Sequence, residues 1–237
     1  MSEWKARRFW TAAAVEPAAG GFAVTLDGRP VRTPGKRPLV LPTRALAEAV
    51  AAEWQAQGDT VDPRAMPVTR AANSALDTVA QNRASIEGMI AAYGASDLLC
   101  YRAEAPEALV ARQAAEWDPL LDWAARDLGA PLRVTAGVVP VDQPPESLAA
   151  LAARLAALTD MELTAMHDLV ALSGSLVLGL AAADGLHPPE DIWRLSRIDE
   201  DHQASEWGVD EEAAEVAARK RADFLQAHRL LRLARAE

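Results

Sequence analysis

The stretch GFAVTLDGRPVRTPGKRPLVLP, residues 21–42, decides the fold class, because it carries an apolar spacing that the rest of the chain does not repeat. Phe22, Val24 and Leu26 alternate with period two, which sends them to one face of a strand. Asp27-Gly28 then interrupts the run. A two-residue hairpin turn needs positive φ at both central positions, and a glycine has no Cβ to clash there. Alternation resumes through Val31 and Thr33, and Pro30, lacking an N–H, belongs on an edge or at the first position of its strand. Thr33-Pro34-Gly35-Lys36 makes a second turn into Pro38–Pro42. A small antiparallel sheet over about residues 7–42 is expected.

Within it, residues 26–36 hold two glycines and three cations, so a phosphate-binding loop has to be weighed. It fails on spacing. A Walker-type loop keeps four residues between its glycines and follows them with Lys-Ser/Thr, so that backbone amides wrap the phosphates and the hydroxyl reaches magnesium. Here six residues separate Gly28 from Gly35, and Arg37 follows Lys36. No nucleotide and no other cofactor is expected. Gly28 and Gly35 are read as serving backbone geometry, which leaves Arg29, Arg32, Lys36 and Arg37 for an inter-domain or client surface.

After Thr43, a plausible N-cap, the period changes to 3.6: Leu46, Val50 and Trp54 recur on one face until Gly58. DTVDPRAMPVTR, residues 59–70, is a Pro-punctuated link, and the remainder reads as helices over roughly 68–80, 83–94, 106–128, 145–158, 160–183, 188–206 and 210–234. Residues 1–62, with the first helix at 43–57, are therefore expected as a β-rich N-terminal domain and 63–237 as a helical domain, an α+β chain. Within 106–128, Val110, Ala114, Trp117, Leu121, Ala124 and Leu128 form a seam, which Pro119 should kink or restart with Asp118 as N-cap. Residues 160–183 are apolar nearly all round, the mark of a central helix; Ser173, Gly174, Ser175 and Gly179 would allow close approach. Its most apolar part, 169–183, is too short and too interrupted to span a membrane.

Composition narrows the function classes. Half of the 237 residues are hydrophobic, enough for a sizeable core, and the mean hydropathy is -0.05. The N-terminal ten residues lack the apolar run of a signal peptide. One cysteine, Cys100, excludes a disulfide framework and reads as a core thiol. The net charge of -10 is unevenly placed: residues 1–41 hold seven Lys or Arg against three acids, while 184–215 hold eleven acids against two arginines, +4 against -9. A field of that sign repels polyanions, so nucleic acid is excluded as a general partner and a protein of mixed charge is favoured.

Catalytic patterns are missing. No nucleophile elbow, Cys/His pair or Gly-rich dinucleotide loop occurs. His167-Asp168 and Asp199 with His202 could each supply one side of a metal site, which keeps a metal-assisted enzyme as an alternative, but no motif anchors a second ligand pair and a solvated or capped helix face is the favoured reading. Of seven tryptophans, most read as core: Trp54, Trp117 and Trp123 lie on amphipathic helices as packing residues, and Trp207, beside Gly208 at a helix end, is the best candidate for an interface.

The ordered strings RFW (8–10), LDGRPVRTPG (26–35), LPTRALAEAVAAEWQAQ (41–57), MPVTRAAN (66–73), DLLCYRAEAPEALVARQAAEWDPLLDW (97–123), SGSLVLGLA (173–181) and QASEWG (203–208) resemble one family over nearly the whole chain. It is the assembly chaperone of the F-type ATP synthase catalytic head that binds the alpha subunit, in its bacterial form. The resemblance implies a non-enzymatic protein that binds free alpha subunit and shields its beta-facing surface until beta displaces it. It implies a cytoplasmic location here and the mitochondrial matrix for eukaryotic relatives, with no membrane insertion. The family's client-contacting segment falls on Asp199, Glu200, Gln203, Glu206 and Trp207, with Ile198-Asp199 where relatives usually show Leu-Glu. Its β-domain signature falls on Asp27, Gly28, Arg29, Pro30, Arg32, Pro34 and Gly35. A helical adaptor for another protein remains the further alternative.

Overall fold

A computed structural model describes residues 7–208 and 210–236. Residues 1–6, on which part of the signal-peptide argument rests, lie outside them. The chain is α+β: a four-stranded antiparallel sheet comes first and a larger helical region follows.

β1 (Ala13–Ala18) and β2 (Gly21–Leu26) form a hairpin in register from Ala13 opposite Leu26 to Ala18 opposite Gly21. One edge of β2 is filled by β1, so β3 (Arg29–Pro30) and β4 (Val40–Leu41) share the other, β3 against Thr25-Leu26 and β4 against Phe22-Ala23. Asp27 and Gly28 make the β2–β3 turn with φ of 48° and 77°, the double positive φ that the sequence calls for. The Asp27 carboxylate also accepts from the amides of Thr11 and Ala12, which holds its pKa below the usual carboxylate value. Pro30 sits on the end strand of the β1–β2–β3 path, where no neighbour needs its missing N–H.

Between β3 and β4 the chain doubles back on itself. Leu39 donates to the Val31 carbonyl, Thr33 to that of Arg37, and Lys36 closes the turn on Thr33. α1 (Arg44–Gln55) packs on the sheet, burying Leu46, Ala47 and Val50 with Val24, Leu26, Leu39 and Leu41 in one core. Thr43 caps it by accepting from the Leu46 amide, as expected. Trp54 is half-buried, edge-on to Trp10 at 5.2 Å.

The helices expected over 68–80 and 83–94 are continuous in the structure. α2 (Pro67–Ser74) runs through a π-helical segment, Ala75–Val79, into α3 (Ala80–Ala91), and the irregularity falls at Asn82, whose φ is -121°. β5 (Tyr101–Arg102) and β6 (Thr135–Ala136) form a small parallel pair that the sequence pattern does not reveal, being two residues each.

α4 (Glu107–Asp127) passes Pro119 without ending, so the expected restart does not occur. Asp118 is not an N-cap; its carboxylate lies 2.8 Å from Arg102. The seam is buried at Trp117, Leu121 and Ala124, with Leu109, Gln113, Leu120 and Trp123 widening it. α5 is Pro145–Ala156.

Residues 160–183 are two helices, not one: α6 (Asp160–Ser173) and α7 (Leu176–Asp184). Gly174, at φ 73°, breaks the run, and Ser175 becomes an N-cap that accepts from Leu178 and donates to the buried Asp97 at 2.6 Å. Asp97 also accepts from the amides of Leu99 and Val177, so one carboxylate caps both the 3-10 turn Leu98–Cys100 and the start of α7; its burial pushes its pKa up. α7 is buried from Leu176 to Ala182, the central position expected of it. A Cβ on Gly179 would stand 2.5 Å from Val170, so the close α6–α7 approach depends on that glycine. Cys100 is fully buried, as read, and burial raises its thiol to about 12. The stretch expected over 188–206 is likewise divided, into α8 (Pro189–Leu195) and α9 (Ile198–Trp207); α10 is Glu211–Ala234. No helix among the described residues is long and apolar enough to cross a membrane.

The described residues form two compact units, one of residues 7–83, 159–165 and 229–236, the other of 84–158 and 166–228. The first is stitched by polar contacts between its three stretches: Thr43 donates to the Leu233 carbonyl, Arg83 meets Asp160 at 2.6 Å, and Arg235 meets Glu162 at 2.6 Å.

Candidate functional site

The β-domain signature holds a carboxylate. The Thr33 hydroxyl and the Gly35 amide each donate to Asp77 of the π-helical segment at 2.7 Å, and the Arg37 guanidinium reaches the neighbouring Leu76 carbonyl. π-Helical turns re-aim side chains out of the α-helical rows, which is how Asp77 faces this loop. A Cβ on Gly35 would stand 2.6 Å from Asp77 Oδ1. Gly35 is thus required for space; the positive φ in this turn falls on Lys36. Arg32 donates to the Lys36 carbonyl within the loop and Arg37 to the Leu76 carbonyl outside it, so both guanidinium groups have partners in the fold, while Arg29 and Lys36 are exposed.

The second group of expected residues lies on α9. Its first turn carries Asp199, Glu200 and Asp201, and carboxylates there are stabilised by the partial positive charge of the helix N-terminus. The structure separates these residues by role. Asp199 accepts from Gln113 Nε2 at 2.5 Å, and Gln113, buried on α4, accepts in turn from the Ala103 amide at 2.8 Å. Asp199 therefore anchors α9, and Gln113, a polar residue interrupting an apolar seam, is the partner that sequence reasoning missed. Glu200 faces the other way and pairs with Arg197 at 2.6 Å.

Glu200, Gln203 and Trp207 line an open groove of about 740 Å3 between α9 and the start of α10. Trp207 is 84% exposed, the most accessible aromatic side chain among the described residues. Glu206 is exposed but does not line the groove. The opposite wall is α10, where Ala213, Ala214, Ala217 and Ala218 face the groove above Trp193. From Glu211 to Asp223 only Val216 and Ala217 are even partly covered. The signal for this wall was present in the sequence as alanines at i, i+1, i+4 and i+5, but alanine serves equally on a solvated face.

The residues of the metal reading do not converge. His167 pairs with its neighbour Asp168 at 2.9 Å, a hydrogen bond that raises the imidazole pKa, while Asp199 is committed to Gln113. Among the described residues no three His, Cys, Asp or Glu side chains are grouped to hold a metal ion.

Against this geometry, the family described as ATP12 chaperone protein matches residues 7–125, half of the chain. The chain belongs to the ATP12 chaperone family. Solved relatives agree over nearly its whole length. Atp12 from Paracoccus denitrificans is 54% identical, with a TM-score of 0.95 over 98% of this chain and 100% of that one. A point mutant of the same protein superposes with a TM-score of 0.96. A candidate chaperone from Agrobacterium tumefaciens is 45% identical, with a TM-score of 0.90 over 95% of this chain and 85% of that one. The mitochondrial protein atp12 of Schizosaccharomyces pombe is 25% identical over 222 residues, 89% of this chain and 76% of the relative.

Proposed function

We propose that this ATP12-family chaperone serves assembly of the F-type ATP synthase catalytic head by capturing free alpha subunit. It covers the alpha surface destined for beta, and beta displaces it. The observation that carries this reading is the α9–α10 groove with its exposed Trp207, beside the acidic segment onto which the family's client contacts fall. An unassembled subunit of an obligate ring exposes a large apolar interface, and covering it removes the drive to aggregate. Glu200, Gln203, Glu206 and Trp207 supply the client contact, and Asp199 positions their helix. The chain acts without catalysis, in the bacterial cytoplasm where the subunits are made.

Release comes from competition, since beta binding forms a larger interface on alpha and draws it off by mass action. The test is a pull-down with isolated alpha and beta subunits, followed by size-exclusion chromatography of the alpha complex with and without beta in nucleotide-free buffer. Capture of alpha but not beta, and discharge of alpha on adding beta alone, are expected. A stable complex of all three proteins would overturn the shielding mechanism.

A further inference from the structure

Resting on that reading, we infer that the α9–α10 groove receives a basic amphipathic helix of the client, its apolar face laid on the alanine floor. The floor sets the shape of the occupant. Ala213, Ala214, Ala217 and Ala218 present only methyl groups, so a helix laid between α9 and α10 can bring its backbone close and complete a three-helix packing. Trp193 lies at the base and Trp207 at the open end, where its indole can close over an apolar side chain. The uncovered part of α10, residues 211–223, is about 20 Å long at 1.5 Å per residue, which matches an occupant of about 14 residues.

Charge sets its sign. Of the two arginines on the groove, Arg197 is spent on Glu200 and lies over the Trp193 ring at 5.7 Å; Arg221 stands at the other end of the groove wall. Asp201 and Asp210 line the groove, and Glu206, Glu211, Glu212 and Glu215 are exposed around it. Residues 199–215 hold eight acids and no Lys or Arg. A neutral or acidic helix would desolvate these carboxylates without return, whereas lysines or arginines flanking an apolar stripe would meet them.

The test uses the full chain and synthetic peptides of about 14 residues, one a Leu/Lys amphipathic helix and the other its Leu/Glu counterpart. Binding is followed as the emission difference between wild type and Trp207→Phe. The Leu/Lys peptide should shift Trp207 emission to the blue and bind less tightly as salt rises, and the Leu/Glu peptide should bind at least about tenfold more weakly. Ala217→Trp, which fills the floor, and Ala214→Arg, at an exposed position, should each weaken the Leu/Lys peptide by about tenfold or more with Tm unchanged. Equal binding of both peptides, no binding of either, or wild-type affinity in the two folded variants would overturn the inference. These arms contain no alpha subunit, so they stand or fall apart from the pull-down. Undiminished alpha capture by Ala217→Trp and Ala214→Arg would overturn the groove while leaving the chaperone reading intact.

Discussion

Asp77 and Gly35 behave as one unit, because the carboxylate occupies the space that a side chain at Gly35 would need. Asp77→Ala removes the acceptor of the Thr33 hydroxyl and the Gly35 amide and is expected to cost about 1–3 kcal/mol. Gly35→Ala should cost a similar amount by pushing the same carboxylate off its donors. The double variant should then cost scarcely more than either single one, a coupling that denaturant unfolding of the four proteins would measure. Additive effects would show that the two residues act separately. Gly28 is required for a different reason: Val at its φ of 77° is disfavoured by about 1–2 kcal/mol or more, so Gly28→Val should lower Tm by about 3–6 °C. An unchanged Tm would mean that the turn adapts.

At the scale of elements, α6 begins with a capping box. The Thr159 amide donates to Glu162 at 2.7 Å, the Glu162 amide donates back to the Thr159 hydroxyl, and Glu162 Oε1 holds Arg235. Partial burial raises the Glu162 pKa, but the Thr159 amide, Arg235 and the Thr159 hydroxyl outweigh it, leaving the group below its ordinary 4.5. A carboxylate depressed in the folded state contributes stability that is present above its unfolded pKa and is lost as pH falls through its folded one. Glu162→Ala should therefore lower Tm near about pH 7, and the gap from wild type should close as pH drops below about 4.5. A gap independent of pH would assign the loss to packing. The break between α6 and α7 obeys similar logic. Gly174 ends one helix, and Ser175 with Asp97 starts the next, so the apolar run is divided by its caps.

For the whole molecule the relevant quantity is the placement of charge. A net charge of -9 within residues 184–215 of a chain whose total is -10 gives the α9–α10 face a field that can steer a basic surface. Association with client should accordingly slow as salt rises from about 0.05 to 0.5 M, while dissociation changes less. Glu200→Lys should slow association further while the protein stays folded, since Glu200 is exposed and its contacts, the Arg197 pair and the start of α9, are local. Stopped-flow mixing with alpha subunit would measure both. Association independent of salt, with wild-type rates for Glu200→Lys, would remove the acidic segment from the contact.

The sequence by itself determined the switch from strands to helices near Thr43, the Asp27-Gly28 turn and the buried face of α1. Each of these follows from local backbone preference or from the periodicity of burial. Periodicity reports that a face is covered and is silent on what covers it. Tertiary structure decided the rest. It set Asp77 against Gly35 across forty-two residues, turned Asp199 to Gln113 across eighty-six, and gathered residues 159–165 and 229–236 with the N-terminal sheet. The alanines of α10 show the same division: a methyl group suits a core, a close helix contact or a solvated face, and only the placement of α9 beside them makes a groove.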